Sequence, residues 1–178
     1  MMRLFVGLDF PWEIKQMLGS LAGGIQGARW VPPENMHLTL RFIGEVPPHR
    51  AEEIDHALAA LRGRAFPLVL AGVGTFAKGG QENSLWVGAE KNPSLAALQS
   101  KIETALRRAG CEPERRRFTP HVTLARLRDV AEGKLAGFVQ GHNLFRAGPM
   151  QVEHFVLFRS LLGKEASVYT PEVEYALF

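Results

Sequence analysis

His37-Leu38-Thr39-Leu40 returns as His121-Val122-Thr123-Leu124, 84 positions further along a chain of 178 residues. Each copy is a short β-type run with histidine and threonine two residues apart. Side chains alternate between the faces of a strand, so His37 and Thr39 point one way and Leu38 and Leu40 the other. His121 and Thr123 repeat this over Val122 and Leu124. One face anchors each strand in a core; the other presents an imidazole beside a hydroxyl. A lone His-x-Thr is most often structural, so the weight lies in the repetition.

The flanking sequence repeats as well. Leu4-Phe5-Val6-Gly7-Leu8-Asp9 matches Leu85-Trp86-Val87-Gly88-Ala89-Glu90 at an offset of 81. The first motif is approached through Arg29-Trp30-Val31-Pro32-Pro33 and the second through Arg117-Phe118-Thr119-Pro120. Offsets of 81 and 84 differ by a short loop insertion. The chain therefore reads as one domain over residues 1–178 built by internal duplication, with halves near 1–80 and 81–165.

Composition sets the outer limits. At 46% hydrophobic and 22% charged, the chain is ordinary for a soluble globular domain. No apolar run reaches the 18 or so residues that suggest a membrane helix, and the N-terminus reads as a first strand rather than a signal peptide. Cys111 stands alone, which excludes a disulfide framework and a thiolate metal site. A cytoplasmic monomer is the expectation. The net charge of +3 mildly favours an anionic partner.

Periodicity predicts a strand at 2–9 and a helix at 11–23 with Ile14, Met17, Leu18 and Leu21 inward. A strand follows at 36–43, ended by Gly44, then a helix from Pro47-Pro48 to about 61 and a strand at 66–76. Lys78-Gly79-Gly80-Gln81 reads as a turn. The second half repeats the order: strand 84–90, helix 93–109, strand 120–127, a short helix at 131–139 and strand 150–159. A last strand, 166–176, has no counterpart in the first half. The expected fold is α+β: two lobes related by a pseudo-twofold axis, each a mainly antiparallel sheet with helices on its outer face, and a groove between them.

Two imidazoles with few other polar groups narrow the chemistry. Neither motif has a carboxylate or second histidine at metal-ligand spacing, so no metal and no cofactor are expected. Gly-x-Ser-x-Gly and glycine-rich phosphate loops are absent. Two groups titrating near neutrality suit a reaction in which one takes a proton from the nucleophile and the other gives one to the leaving group. In-line phosphodiester cleavage has that requirement, and threonine hydroxyls could donate to the non-bridging oxygens.

The sequence resembles the two-histidine phosphoesterases, and within them the RNA 2′,3′-cyclic phosphodiesterases also called 2′–5′ RNA ligases. The likeness rests on Arg3 to Asp9, on Arg29-Trp30-Val31-Pro32-Pro33-Glu34-Asn35-Met36 with the first motif, and on Phe42-Ile43-Gly44-Glu45-Val46. Arg117 to Arg126 and the tail Phe158-Arg159-Ser160-Leu161-Leu162-Gly163 complete it. The resemblance implies metal-free opening of 2′,3′-cyclic phosphates on nucleotides or RNA ends to 2′-phosphates. It implies catalysis by His37 as proton donor and His121 as acceptor, roles that sequence symmetry alone leaves open, and phosphate contact by Thr39 and Thr123. It also points to Arg126 as a phosphate contact.

Parity puts Arg126 on the face opposite His121, so that role requires the strand to end, twist or bulge. Arg41 has the right parity after His37 and is a second phosphate candidate, with a solvated arginine as its alternative. Phe42 and Trp30 could stack on a base, although parity places Phe42 with Leu38 and Leu40 and favours core packing. Arg115-Arg116-Arg117 reads equally well as a funnel for RNA phosphates or a solvated loop. His49, His56, His142 and His154 lack a threonine partner and a repeat mate. Two other function classes use the same residues: reversible 2′–5′ joining of RNA ends, and RNA-end binding without catalysis. The second histidine argues against the pure binder, which needs phosphate donors but not two titrating groups.

Overall fold

The computed structural model describes residues 1–163 and 167–178. The elements run β1 (Met2–Leu8), α1 (Trp12–Gly19), β2 (Ala28–Trp30), β3 (Leu38–Val46), α2 (Pro48–Ala59), β4 (Phe66–Lys78), β5 (Gln81–Ala89), α3 (Pro93–Arg108), β6 (His121–Leu127), α4 (Glu132–His142), β7 (Arg146–Val152), β8 (His154–Leu162) and β9 (Ser167–Ala176). A 3-10 turn, Pro33–Asn35, leads into β3.

Among the described residues every strand pairing is antiparallel, in the order β7-β4-β5-β6-β3-β1-β8-β9, with β2 also on β6. The sheet is nearly cut in its middle. β3 and β6 pair only at Leu38 and Val122, so the strands part on either side and two lobes result. The lobes are not the sequence halves. β4 leaves the first half to pair with β5 and β7, and β8 leaves the second to pair with β1. β9 flanks β8 as β7 flanks β4, which gives the unmatched last strand a structural counterpart. The result is α+β with two pseudo-twofold-related lobes, as the duplication predicts.

The core lies between the sheet and the helices. Leu4, Val6 and Leu8 of β1, Leu38 and Leu40 of β3, and Val122 and Leu124 of β6 are all buried in it. Burying each such side chain is worth about 1.5–3 kcal/mol. Ile54 and Leu58 from α2, with Leu95, Leu98, Ile102 and Leu106 from α3, close it from the other side. The Asn92 side chain caps α3 by accepting from the Leu95 N–H at 3.0 Å. Gly7 brings β1 close to β3, since a Cβ there would stand 2.9 Å from the Leu38 carbonyl oxygen.

Several boundaries differ from expectation. The α-helical part of α1 stops at Gly19, and the remaining residues form tighter turns through Leu21 N–H to Leu18 O and Ala22 N–H to Gly19 O. Met17 is exposed rather than inward. β3 runs through Gly44 to Val46, because Gly44 takes a φ of 93° and follows a bulge instead of ending the strand. The stretch expected as one strand at 150–159 is two, β7 and β8, turning at Glu153. Residue 166, the expected start of the last strand, lies outside the described residues. No helix among the described residues is long and apolar enough to cross a membrane.

Candidate active site

Both histidines are held in the same way. The His37 Nδ1–H donates to the Asn35 carbonyl at 2.7 Å, and the His121 Nδ1–H donates to the Thr119 carbonyl at 2.6 Å. A carbonyl only accepts, so each Nδ1 carries the proton and each Nε2 keeps a lone pair. The Thr39 hydroxyl lies 3.0 Å from His37 Nε2 and donates to it. Alternation holds through both motifs: Leu38, Leu40, Val122 and Leu124 are buried, while the histidines and threonines are half-buried on the other face.

Past the threonines, both strands bulge. β1 pairs Gly7 with Thr39 and then Val6 with Arg41, leaving Leu40 as an extra residue. β5 pairs Trp86 with Thr123 and then Leu85 with Ala125, leaving Leu124 extra. One extra residue reverses the parity of everything beyond it. Arg41 and Ala125 therefore turn into the core, and Phe42 and Arg126 turn out onto the groove face, at equivalent places five residues after their histidines.

This corrects two expectations. Arg41 is only 7% exposed and is committed on the helix side of the sheet. Its Nε donates to Glu103 Oε2 at 2.6 Å, and its other nitrogens reach the Phe42 and Glu112 carbonyls. It does not face the groove. Phe42, which parity assigned to the core, is 53% exposed with its ring 6.0 Å from Phe5. Trp30 packs on Phe138 of α4 with ring centres 5.8 Å apart. Of the arginine triplet, all exposed, Arg116 pairs with Glu114.

Aromatic rings pack around both imidazoles. Phe5 lies 4.8 Å from His37 between ring centres, and Tyr169 meets it edge-on at 5.0 Å. Around His121 the ring of Phe76 stands edge-on at 4.8 Å, with Trp86 at 6.3 Å. Phe5 and Trp86 are repeat mates, so the duplication carried a signal for them; Tyr169 of β9 had none. A cavity of about 180 Å³ opens beside His37 among Asp9, Lys15, Asn35, Phe158 and Tyr169. Asn35 also ties this region together, its side-chain amide donating to the Ser167 carbonyl at 2.8 Å.

Burial pushes both histidines below their ordinary value. Smaller effects split the pair. The Asn35 carbonyl and the Asp9 carboxylate pull His37 back up, against Lys15 and His121. The Thr119 carbonyl raises His121, and the Arg126 guanidinium lowers it further. Among the described residues, no three His, Cys, Asp or Glu side chains are grouped so as to hold a metal ion.

Comparison with known proteins bears on the family and the fold. The family model for LigT-like phosphoesterases matches twice, over residues 8–86 and 87–169. An RNA 2′,3′-cyclic phosphodiesterase of Escherichia coli is 30% identical, over 98% of this chain and 96% of its own. One from Archaeoglobus fulgidus is 28% identical, over 94% and 96%. The crystal structure of E. coli LigT complexed with 3′-AMP aligns with a TM-score of 0.80 at 28% identity, over 99% of this chain and 98% of that one. The chain belongs to the LigT-like phosphoesterase family.

Proposed function

We propose that the chain hydrolyses 2′,3′-cyclic phosphates on nucleotides and RNA ends to 2′-phosphates, without a metal, through His37 and His121. The reading is carried by the matched anchoring of the two imidazoles, which leaves both Nε2 atoms available for proton transfer. The names of the relatives from E. coli and A. fulgidus support the substrate class.

Water attacks phosphorus and loses its proton to His121 Nε2. The P–O3′ bond breaks on the opposite side, and O3′ takes a proton from His37 Nε2, so the pair exchanges one proton gained for one given. Thr39 and Thr123 donate to the non-bridging oxygens, and Arg126 offsets their charge. Asp9 near His37 favours the donor role there, and Arg126 near His121 favours the acceptor role. Since burial keeps both rings neutral at rest, the bound phosphate must itself raise His37 for the donor to be charged. Once His37 is protonated, its Nε2–H turns to O3′ and the Thr39 hydroxyl is released to the phosphate. Phe42 offers an exposed ring face to the base.

The test is incubation of 2′,3′-cyclic AMP with the protein and excess EDTA. Release of 2′-AMP is expected. Activity lost to the chelator and restored by one divalent ion, or release of 3′-AMP instead, would overturn the reading.

A further inference from the structure

We propose that Arg29, standing beside Arg126, binds the backbone phosphate that precedes the cyclic end of a single-stranded RNA. This rests on the reading of the groove as a cyclic-phosphate site. The same edge of β6 is used twice: β3 holds it at Val122, and β2 takes it over from Ala125 to Leu127. There Arg29 lies directly opposite Arg126. Ala28 and Trp30, on either side of Arg29, pack against the core, so Arg29 faces the way Arg126 does, onto the groove side.

Gly27 locks that placement. It has a φ of 90°, and a Cβ there would stand 2.4 Å from the Arg128 carbonyl oxygen. The Gly27 carbonyl accepts from the Arg128 N–H at 3.0 Å. A slip of one residue would carry Arg29 to the other face of the strand.

The pair is electrostatically incomplete. Both arginines are exposed, and among the described residues neither forms an ion pair with a carboxylate. Like charges directly opposite on neighbouring strands destabilise the pairing, and a second phosphate on Arg29, next to the one at Arg126, offsets that repulsion. A guanidinium fork fits phosphate oxygens two at a time. A mononucleotide cyclic phosphate has one phosphate, which the two histidines hold. An RNA end supplies a second one on the 5′ oxygen, which 2′,3′-cyclic AMP lacks, so Arg29 distinguishes RNA ends from that mononucleotide.

The experiment compares kcat/KM on 2′,3′-cyclic AMP with that on a short single-stranded oligoribonucleotide ending in a 2′,3′-cyclic phosphate. Arg29→Ala should lower the ratio of oligonucleotide to mononucleotide by about tenfold, one charged phosphate contact. The salt dependence of oligonucleotide binding should lose about 0.7 from its logarithmic slope. Anisotropy of a labelled oligoribonucleotide with a 2′-phosphate end should show the same tenfold weakening. That measurement needs no turnover, so it stands apart from a failure of the hydrolase reading. An unchanged ratio and affinity would sink the proposal. Equal losses on both substrates would also sink it, by placing Arg29 at the reacting phosphate. Arg29→Gln gives the same test should the alanine variant fail to fold.

Discussion

Leu38 bonds to Val122, and through this one residue pair the two halves of the sheet are joined. His37 and Thr123 flank the pair on one side, Thr39 and His121 on the other, so the imidazoles occupy one diagonal of a four-residue square. In a paired ladder such diagonal neighbours have Cα atoms about 7–8 Å apart, and the parting of the strands on either side of Leu38 and Val122 opens the groove between the imidazoles. The hydroxyls occupy the other diagonal, so hydroxyls and imidazoles alternate around the Leu38–Val122 pair.

Replacing His37 or His121 with alanine should each lower kcat by about 10²–10⁴-fold. The double variant should lose far less than the product of the two, because the histidines act as one unit. Steady-state turnover of 2′,3′-cyclic AMP, with circular dichroism to confirm the fold, decides it. Wild-type turnover from folded His121→Ala would leave RNA-end binding as the better reading. Thr39→Val and Thr123→Val should cost less, since each removes one phosphate donor and leaves the proton transfers in place.

The direction of both shifts sets the pH profile. The free enzyme's kcat/KM should fall as pH rises through the lowered value of His37, below the ordinary 6.5, because burial keeps that ring from holding the donor proton. For kcat the falling limb should move to higher pH, since bound phosphate raises the imidazole. Identical limbs for the two parameters would contradict a donor charged by its substrate.

Stability should respond to the same groups. Below the ordinary histidine value of 6.5 the unfolded chain takes up protons that the folded chain resists at His37 and His121. Folding is therefore weakened as pH drops from 6.5 through the lowered folded values, and above 6.5 neither ring contributes. Melting temperatures from pH 7.5 down to pH 5 should decline, and His37→Gln should flatten that slope. An equal slope in the variant would locate the titration elsewhere.

Arg41 and Phe42, adjacent in sequence, should behave oppositely. Arg41→Ala strips a buried partner from Glu103 and should cost about 3 kcal/mol in urea unfolding, with kcat/KM of the folded fraction unchanged. Phe42→Ala should leave stability nearly intact and raise KM by about tenfold through lost stacking on the base. A rise in KM from Arg41→Ala without loss of stability would reverse both assignments.

Those two residues also mark where the sequence stopped being legible. Alternation and duplication suffice for the motif strands, for the buried faces of α2 and α3, and for setting His37 and His121 on one face of neighbouring strands. They fail immediately past the threonines. Leu40 and Leu124 are extra residues only relative to β1 and β5, and that register is set by the partner strand, so no local pattern announces it. The parity objection to Arg126 and the parity case for Arg41 dissolve together. β2, three residues long, is too short to show a period, which hid the pairing of Arg29 with Arg126. Tyr169 has no repeat mate to mark it.

The crossing of β4 and β8 between lobes carries a consequence for ancestry. Cutting the chain near residue 80 would leave each fragment without a strand that its own sheet needs, because β4 of the first fragment pairs with β5 and β8 of the second pairs with β1. A forerunner of one repeat could complete its sheet only by trading that strand with a second copy of itself. The present chain has the topology of such an exchanged dimer tied end to end, and its paired histidines sit where two subunits would have met.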